Sequence, residues 1–181
     1  MRIRPLHLLA LLLLTGSCSM FVPEARYGLD VQAYPAGAIA GIMIQRPWHE
    51  DDVYFTRFAA NVTNRGDSGE HDDEAGSGTG FGFGYRKYET REHTGWIFGV
   101  RADIWNLSID WRDDSPPRTD NTFVIVFQPA AEIGYAWKLG DGTWSMDLTA
   151  NLGVERNLTD VGEEVGDGTI FLVGFTLLYN G

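Results

Sequence analysis

The chain has 181 residues, a formal net charge of −11 and a single cysteine. The length fits one domain. The negative charge argues against nucleic acid and anionic lipid headgroups as partners attracted over long range. One cysteine excludes an internal disulfide, so stability must come from strand pairing and burial.

The first seventeen residues are typical of an export signal. Arg2 and Arg4 precede an apolar run from Leu8 to Leu14, and small polar residues follow. The run is too short to span a membrane. We predict a signal peptide over 1–17 that is cut before Cys18, a short tether over 18–25 and a folded domain over 26–181. Removing the signal leaves a charge of −13, two units below that of the full chain.

The lone cysteine lies at the predicted cleavage site. The stretch from Leu14 to Cys18 resembles the bacterial lipobox, in which the cysteine is acylated and becomes the first residue of the mature chain. Cys18 is therefore the expected lipid attachment site. The alternative is ordinary signal cleavage near 17–19, which the small residues there also permit.

The rest of the chain alternates apolar and polar residues with a period of two, which is typical of β-strands with one apolar and one polar face. Glycine, proline and charge clusters separate the segments, and no segment has a helical period. We predict eight strands, over 26–34, 37–46, 53–63, 78–89, 94–111, 122–138, 143–158 and 168–179.

If the eight strands close into a barrel, the predicted connections suggest how that barrel is oriented. Connections 64–77, 112–121 and 159–167 are long, whereas 47–52, 90–93 and 139–142 are short. Transmembrane barrels of the bacterial outer membrane have short periplasmic turns and longer outer loops. The pattern therefore places both termini in the periplasm and the three long loops outside.

Alternation alone does not say which face is inside, because a lipocalin-like barrel has the reverse arrangement. The polar face of the fourth strand carries Gly78, Gly80, Gly82 and Gly84, and lysine is rare in the mature chain. A solvated outer face would be rich in lysine and glutamate. Large rings near the strand ends also suggest the aromatic girdles of membrane barrels. These features favour an apolar face toward lipid.

A polar face turned inward brings charges together inside the barrel. Because eight strands leave just enough space for side chains, these charges must pair with one another and with trapped water, which predicts a plugged barrel. The alternative is an ion path along the same charges, centred on Arg101 and Asp103. The predicted interior network comprises Asp30, Arg57, Arg86, Arg101, Asp103, Glu132, Asp147 and Glu155.

The fifth strand breaks its own pattern. Trp96 to Ile104 are apolar on one parity, but Leu107, Ile109 and Trp111 are apolar on the other. Either a bulge near Asn106 shifts the register, or the strand projects beyond the membrane and packs under an outer loop.

Over residues 26–179 the chain resembles the OmpA-like and OmpX-like group of small outer-membrane barrels of Gram-negative bacteria. Gly174 to Tyr179 is similar to the terminal signal read by the outer-membrane assembly machinery, although Asn180 and Gly181 follow the aromatic residue. The resemblance implies an all-β fold, an eight-stranded antiparallel up-and-down transmembrane β-barrel. It also implies outer-membrane lipid, lipopolysaccharide and the assembly machinery as partners.

Members of this architecture include anchors, adhesins and lipid A-modifying enzymes, so the fold leaves the function open. Lipid A deacylases of this shape have a His-x-Ser pair, which this sequence lacks. We expect a non-catalytic protein without a cofactor, in a structural or surface-interaction role. The alternatives are a lipid-anchored lipocalin-like barrel with a hydrophobic ligand, and a lipid-modifying enzyme.

The most acidic segment runs from Arg65 to Glu74. Its carboxylates are candidates for binding a hard cation such as calcium, but the spacing does not match the EF-hand order. A solvated loop is the favoured interpretation. The candidate ligands are Asp67, Glu70, Asp72 and Asp73.

Overall fold

The computed structural model describes residues 25–66 and 68–180, which form eight β-strands. These are β1 (Arg26–Tyr34), β2 (Gly37–Pro47), β3 (Asp52–Gly66), β4 (Asp73–Tyr88), β5 (Gly95–Asp114), β6 (Pro117–Leu139), β7 (Trp144–Val161) and β8 (Gly168–Tyr179). The predicted signal, Cys18 and nearly all of the tether lie outside the described residues. Within those residues no helix is long and apolar enough to cross a membrane.

The strands form a closed antiparallel barrel in chain order. Each strand pairs with its sequence neighbours, and β1 closes the ring on β8 through pairs such as Val31↔Phe175. The predicted all-β, eight-stranded up-and-down fold is confirmed. Closure leaves no open sheet edge around the ring, which is what a barrel in lipid requires.

The outer surface of the barrel is apolar. Large side chains such as Leu29, Phe58, Phe81 and Val100 are exposed on it, whereas the alternate residues of the same strands are buried. Hydrophobic residues in such a continuous exposed band mark a surface that faces lipid or a partner. This band is called the apolar belt. The alternative of an apolar, ligand-filled interior is contradicted, because the interior holds the charged residues.

Aromatic rings gather at the end of the barrel where β1 begins and β8 ends, here called the terminal end. They form three groups, and within each group neighbouring rings contact one another edge to face or with tilted planes. Such rings suit the headgroup level of a bilayer, where one side is apolar and the other wet. The groups are Trp48 with Tyr54 and Tyr85, Trp96 with Tyr135 and Trp137, and Trp144 with Tyr179.

At the opposite end, called the distal end, the prediction of long loops is wrong. The connections there are 35–36, 67–72, 115–116 and 162–167, and none of them is longer than the turn 89–94, which joins β4 to β5 at the terminal end. Residues 112–114 and 117–121 are polar but paired as strand on either side of the turn 115–116, with Asp113↔Arg118 and Asp114↔Pro117 in register. These residues are polar because the strands project past the apolar belt. A strand there needs hydrogen-bonding partners for its backbone but no apolar side chains.

The fifth strand has no bulge at Asn106. Its pairing with β4 and β6 is continuous, and Arg101, Trp105 and Trp111 all point inward. The interior itself changes from charged to apolar toward the distal end. The structure therefore agrees with the alternative in which the far end of the strand projects and packs beneath an outer connection. That connection contributes Val165, which packs in one cluster with Trp105 and Trp111.

Candidate functional site

The charges inside the barrel form two ion clusters. In the first, the Arg57 guanidinium lies between two strands that are not its neighbours in sequence. Its Nη1 is 2.7 Å from Asp30 Oδ2, and its Nε is 2.8 Å from Asp103 Oδ1. The Thr176 hydroxyl donates to the other Asp30 oxygen at 2.9 Å. The pairs join β1, β3, β5 and β8 across the barrel.

The second cluster is centred on Arg86. The guanidinium donates through Nε and Nη2 to both carboxylate oxygens of Glu132, the Nη2 contact measuring 2.9 Å. Its Nη1 lies 3.1 Å from Asp147 Oδ2. This bidentate arrangement is the strong form of an arginine–carboxylate pair. The ring of Phe55 lies 4.7 Å below the guanidinium carbon.

Glycines on the inner face of β4 make space for these groups. A Cβ on Gly82 would collide with Asp103 Oδ1, one on Gly84 would collide with the Phe55 ring, and one on Gly80 would collide with Trp105. Gly82 and Gly84 thus make room for the ion clusters, and Gly80 makes room for Trp105 of the apolar layer. Gly82 is opposite Arg57 and Asp103 in the strand pairing.

Apolar layers lie on both sides of the charged layer. At the terminal end Val53, Tyr88, Ile97 and Ala136 pack together. The Tyr88 hydroxyl bridges this layer to the charges, donating to Asp147 Oδ2 at 3.0 Å. At the distal end the packed side chains are Ile39, Ala59, Trp105, Leu107, Ile109, Trp111, Val124, Val126, Val165, Ile170 and Leu172.

The distal mouth is covered by two connections, 68–72 and 162–167, which together are called the lid. Glu74, at the start of β4, holds both of them. Its carboxylate accepts hydrogen bonds from the backbone amides of Glu70 at 2.7 Å, His71 at 3.2 Å and Gly166 at 3.1 Å. Arg65 bridges Glu74 and Glu155 at 3.2 Å each. The eighth predicted interior charge, Glu155, therefore belongs to the lid and not to the central clusters.

His71 fixes the lid to the rim of the barrel. Its ring stacks on Trp111 with 3.9 Å between centroids and 7° between planes. Its Nδ1 lies 3.1 Å from Asp113 Oδ1, and its Nε2 lies 3.0 Å from the carbonyl oxygen of Glu164. Both ring nitrogens therefore contact acceptors on different elements.

The sequence analysis missed that Arg65, Glu74 and His71 hold the lid in place, because it assigned them to a solvated loop. A signal for Glu74 was present, because it lies on the inner parity of β4 that continues through Gly78, Gly82 and Arg86. Extending the alternation backward by two steps would have found it. No comparable pattern marks His71, whose burial depends on a contact with β5.

The candidate cation ligands are engaged separately. Asp72 accepts from the backbone amide of Asp114 at 2.8 Å, Asp73 pairs with Arg112, and the Glu70 side chain is exposed. Asp67 lies outside the described residues. Within residues 25–66 and 68–180, no three His, Cys, Asp or Glu side chains are arranged to hold a metal ion.

One titratable group at the terminal end has a strongly shifted pKa. Burial, reinforced by the charge of Arg26, lowers the pKa of His93 to about 4. Its ring contacts Tyr88 edge to face at 5.2 Å. His93 lies in the turn 89–94 with a positive φ of 55°, a conformation that asparagine and glycine also tolerate.

A closed ring of eight antiparallel strands, apolar outside and charged inside, defines a small up-and-down β-barrel. Closure pairs the strands around the whole ring, and the barrel encloses ion pairs that join them. Within the described residues, the charged layer lies between two apolar ones.

Neither a comparison with protein-family profiles nor one with curated proteins finds a match. Solved structures with the same fold include the N-terminal β-barrel domain of Pseudomonas aeruginosa OprF, with a TM-score of 0.48 and 12% identity over 86% of this chain and 97% of that domain. Neisserial surface protein A gives a TM-score of 0.46 and 10% identity, covering 87% of this chain and 95% of that one.

A third structure of this kind is the attachment invasion locus protein Ail of Yersinia pestis, with a TM-score of 0.42 and 6% identity over 86% of this chain and 94% of that one. The chain shares the eight-stranded barrel with these proteins. At this level of identity the similarity concerns the fold alone.

Proposed function

We propose that the protein is a non-catalytic β-barrel of the Gram-negative outer membrane, with a plugged interior and a structural or surface-interaction role. The observation that carries the proposal is the apolar belt around two buried ion clusters. A soluble protein would have no reason to expose so many large apolar side chains while burying Arg57 and Arg86. Membrane lipid on the outside accounts for both.

The layers inside the barrel support the proposal of a plugged interior. An ion that entered the barrel would have to pass the packed side chains at the distal end, then arginines already held by carboxylates, then the layer around Tyr88. Eight-stranded barrels are filled by side chains rather than water. These features support a barrel that does not conduct.

The orientation we propose places the distal end outside the cell and the termini in the periplasm. On β5 the outward residues are apolar from Trp96 to Ile104 and polar beyond. The strand then continues to Asp114, about 33 Å at about 3.3 Å per residue. Such a projecting rim suits the side where contacts with other molecules are made, and the short turns suit the periplasm.

The rim is rich in carboxylates, including Asp73, Asp110, Asp113 and Asp120, with Arg112 and Arg118 among them. We propose that it contacts lipopolysaccharide and external molecules. In the membrane, strand β8 and its terminal aromatic residue Tyr179 would be recognised by the outer-membrane assembly machinery.

Heat-modifiable migration in detergent gels tests the membrane assignment. The folded mature protein should migrate differently before and after boiling, and it should remain with the membrane fraction. Solubility without detergent, together with identical migration in both states, would contradict the proposal. Planar bilayer recordings test the plug: we expect no steady conductance from the wild-type barrel, and a constant open pore would overturn the plugged interior.

Acylation of Cys18 is a separate proposal, because this residue lies outside the described part of the chain. Mass spectrometry of the mature wild-type protein should show the added lipid mass. The Cys18→Ala variant should lose that mass and change its signal processing. An unchanged mass between the two, apart from the substitution, would instead support ordinary signal cleavage.

A further inference from the structure

The hairpin of β1 and β2, the two shortest strands, leaves part of β8 without a neighbour. On β8, pairing with β1 ends at Ala33↔Val173, whereas pairing with β7 continues to Glu155↔Gly168. Residues 168–172 therefore have a strand on one side only. They form an open edge about 17 Å long, at about 3.3 Å per residue. This segment is called the β8 edge.

The other side of the hairpin has the same step. Pairing of β3 with β2 ends at Thr63↔Gly37, but its pairing with β4 continues to Gly66↔Glu74. A gap two strands wide, about 10 Å at about 4.8 Å per strand, thus opens beyond the turn 35–36. This gap is called the notch. It holds a cavity of about 290 Å³, which is lined by the β8 edge and by Tyr34, Arg65, Glu155 and Asp167.

The β8 edge presents backbone groups that can pair with another strand. Alternate residues of a strand direct their N–H and C=O groups to the same side, so two or three of the five residues face the notch. Among the described residues, no backbone group pairs with them on that side. The edge reads Gly-Thr-Ile-Phe-Leu and carries neither proline nor lysine, which usually protect an exposed edge from pairing. It is therefore a template for an added strand.

The surroundings of the notch are acidic. Residues 155–167 contain five carboxylates and one arginine. Among the described residues, Glu155 is ion-paired only through Oε2, with Arg65 at 3.2 Å, and Asp160 and Glu164 have no ion pair. A lysine or arginine on an added strand would meet these charges. The electrostatics of the notch therefore favour a basic partner over an acidic one.

We propose that the β8 edge binds an extended peptide segment of an external protein, with lysine or arginine at alternate positions, which joins the barrel as an added strand. Its backbone pairs with the β8 edge, and every second side chain enters the notch toward Glu155 and Asp167. The cavity is at the lower limit of the about 300–1,000 Å³ typical of small-molecule pockets, so it suits side chains better than a whole ligand. This inference rests on the orientation proposed above, because only a distal end outside the cell meets an external protein.

Neither the tether of this chain nor a second copy suits the notch. The seven residues 18–24 span at most about 25 Å and begin at the terminal end, whereas β1 alone is about 30 Å long. Two upright copies whose edges face each other are related by a half-turn about the membrane normal. Their β8 strands would then cross at about 70–90°, twice the strand tilt of about 35–45°, and could not pair.

The first test uses the wild-type barrel in an uncharged detergent and the peptide acetyl-Thr-Lys-Val-Lys-Val-Lys-Thr-amide. Hydrogen exchange followed by NMR should slow saturably at two or three backbone amides of 168–172. The analogue with glutamate in place of lysine should bind at least about fivefold more weakly. An analogue N-methylated at its three central amides should not bind, because main-chain hydrogen bonds carry the affinity of an added strand.

Three results of this test would overturn the proposal. The first is equal binding of either analogue, and the second is unchanged exchange at 168–172. The third is slow exchange at these amides without peptide, which would mean that the chain itself or a second copy covers the β8 edge.

The second test fills the notch. Replacing residues 35–36 with Thr-Val-Asn-Gly-Lys-Thr extends β1 and β2 by two residues each around an Asn-Gly turn, and should weaken peptide binding at least about tenfold. The same six residues in place of 141–142, at the terminal end, form the matched control and should leave binding unchanged. Unchanged binding to the extended hairpin would overturn the proposal. If that variant does not fold, the peptide and its analogues on wild type decide.

Intact cells and heat-modifiable migration keep the two proposals apart. A fluorescent form of the lysine peptide should label cells that carry the wild-type barrel more strongly than cells that carry the extended hairpin. Equal labelling would overturn the external partner. A barrel that migrates as a membrane protein but does not bind the peptide would refute the β8 edge site alone. A chain that fails the migration test would refute the membrane placement, and with it the external partner.

Discussion

The Gly166 amide donates to both carboxylate oxygens of Glu74, at 3.1 and 3.2 Å, across a sequence separation of 92 residues. This one contact joins the connection before β8 to the start of β4. Because Glu74 also accepts from two amides of the connection before β4, a single buried carboxylate holds both halves of the lid.

Replacing Glu74 should open the lid without dissolving the barrel. In Glu74→Ala, three amides lose their acceptor and Arg65 keeps only Glu155, which we expect to lower the free energy of unfolding by about 2–4 kcal/mol. Urea unfolding in detergent measures this loss, and limited proteolysis should cut within 68–72 and 162–167. Glu70→Ala, at an exposed neighbour, is the control. Equal protection of both variants would show that Glu74 does not hold the lid.

Arg86 should be among the most sensitive positions of the interior. In Arg86→Met the carboxylates of Glu132 and Asp147 are left buried without their cation, and a broken buried pair costs about 3–5 kcal/mol. Unfolding midpoints in urea check the value. Arg156→Met, at an exposed site, should change stability by less than about 1 kcal/mol. A similar small loss at Arg86 would mean that the cluster adds little to the fold.

A side chain at Gly82 should disturb the first ion cluster. In Gly82→Ala the new Cβ collides with Asp103 Oδ1 and contacts Arg57 at 3.0 Å, so we expect a loss of about 1–3 kcal/mol from overpacking. Thr79→Ala, on the outward face of the same strand, is the matched control. Wild-type stability in Gly82→Ala would indicate that the charged layer adjusts freely.

The stability of the barrel should decrease in mild acid because of His93. Burial lowers the pKa of this imidazole from 6.5 to about 4, so below pH 6.5 the unfolded chain binds a proton that the folded chain does not. The free energy of unfolding should therefore fall as the pH decreases from about 6.5 to about 4, and this contribution should be constant above that window.

His93→Asn separates this contribution from other titrations, because asparagine tolerates the positive φ and does not titrate. Urea midpoints between pH 4 and 8 should vary less in the variant than in wild type. His49→Asn, in the exposed turn 48–51, should retain the wild-type dependence. An identical pH profile for His93→Asn and wild type would exclude His93 as the cause.

The alternation in sequence was sufficient to separate the apolar face of each strand from its polar face. Parity placed Asp30, Arg57, Arg86 and Asp147 on the polar face, since successive side chains of a strand point to opposite sides, and the composition of the two faces predicted that this face is the inner one. The four glycines of β4 then indicated that this inner face was crowded. Local sequence encodes both facts, because each depends on the residue and its strand and not on the identity of a partner.

The two-residue alternation could not predict which charged residues pair with each other inside the barrel. Arg86 binds Glu132, 46 residues away, and Arg57 binds Asp30 on a strand that is not its neighbour. These contacts depend on the register of each strand and on the direction that closure gives each side chain across the interior. Two-residue alternation assigns a face but leaves the partner open.

The sequence by itself determined that the chain forms eight strands with one apolar and one polar face. The composition of the faces predicted that the apolar face is outside, but only the tertiary structure decided that the polar residues 112–114 and 117–121 are strand and that Glu74 and His71 hold a lid. The physical reason is that strand pairing is made by backbone groups, which every residue carries, so a charged segment pairs as well as an apolar one once its neighbour is in place.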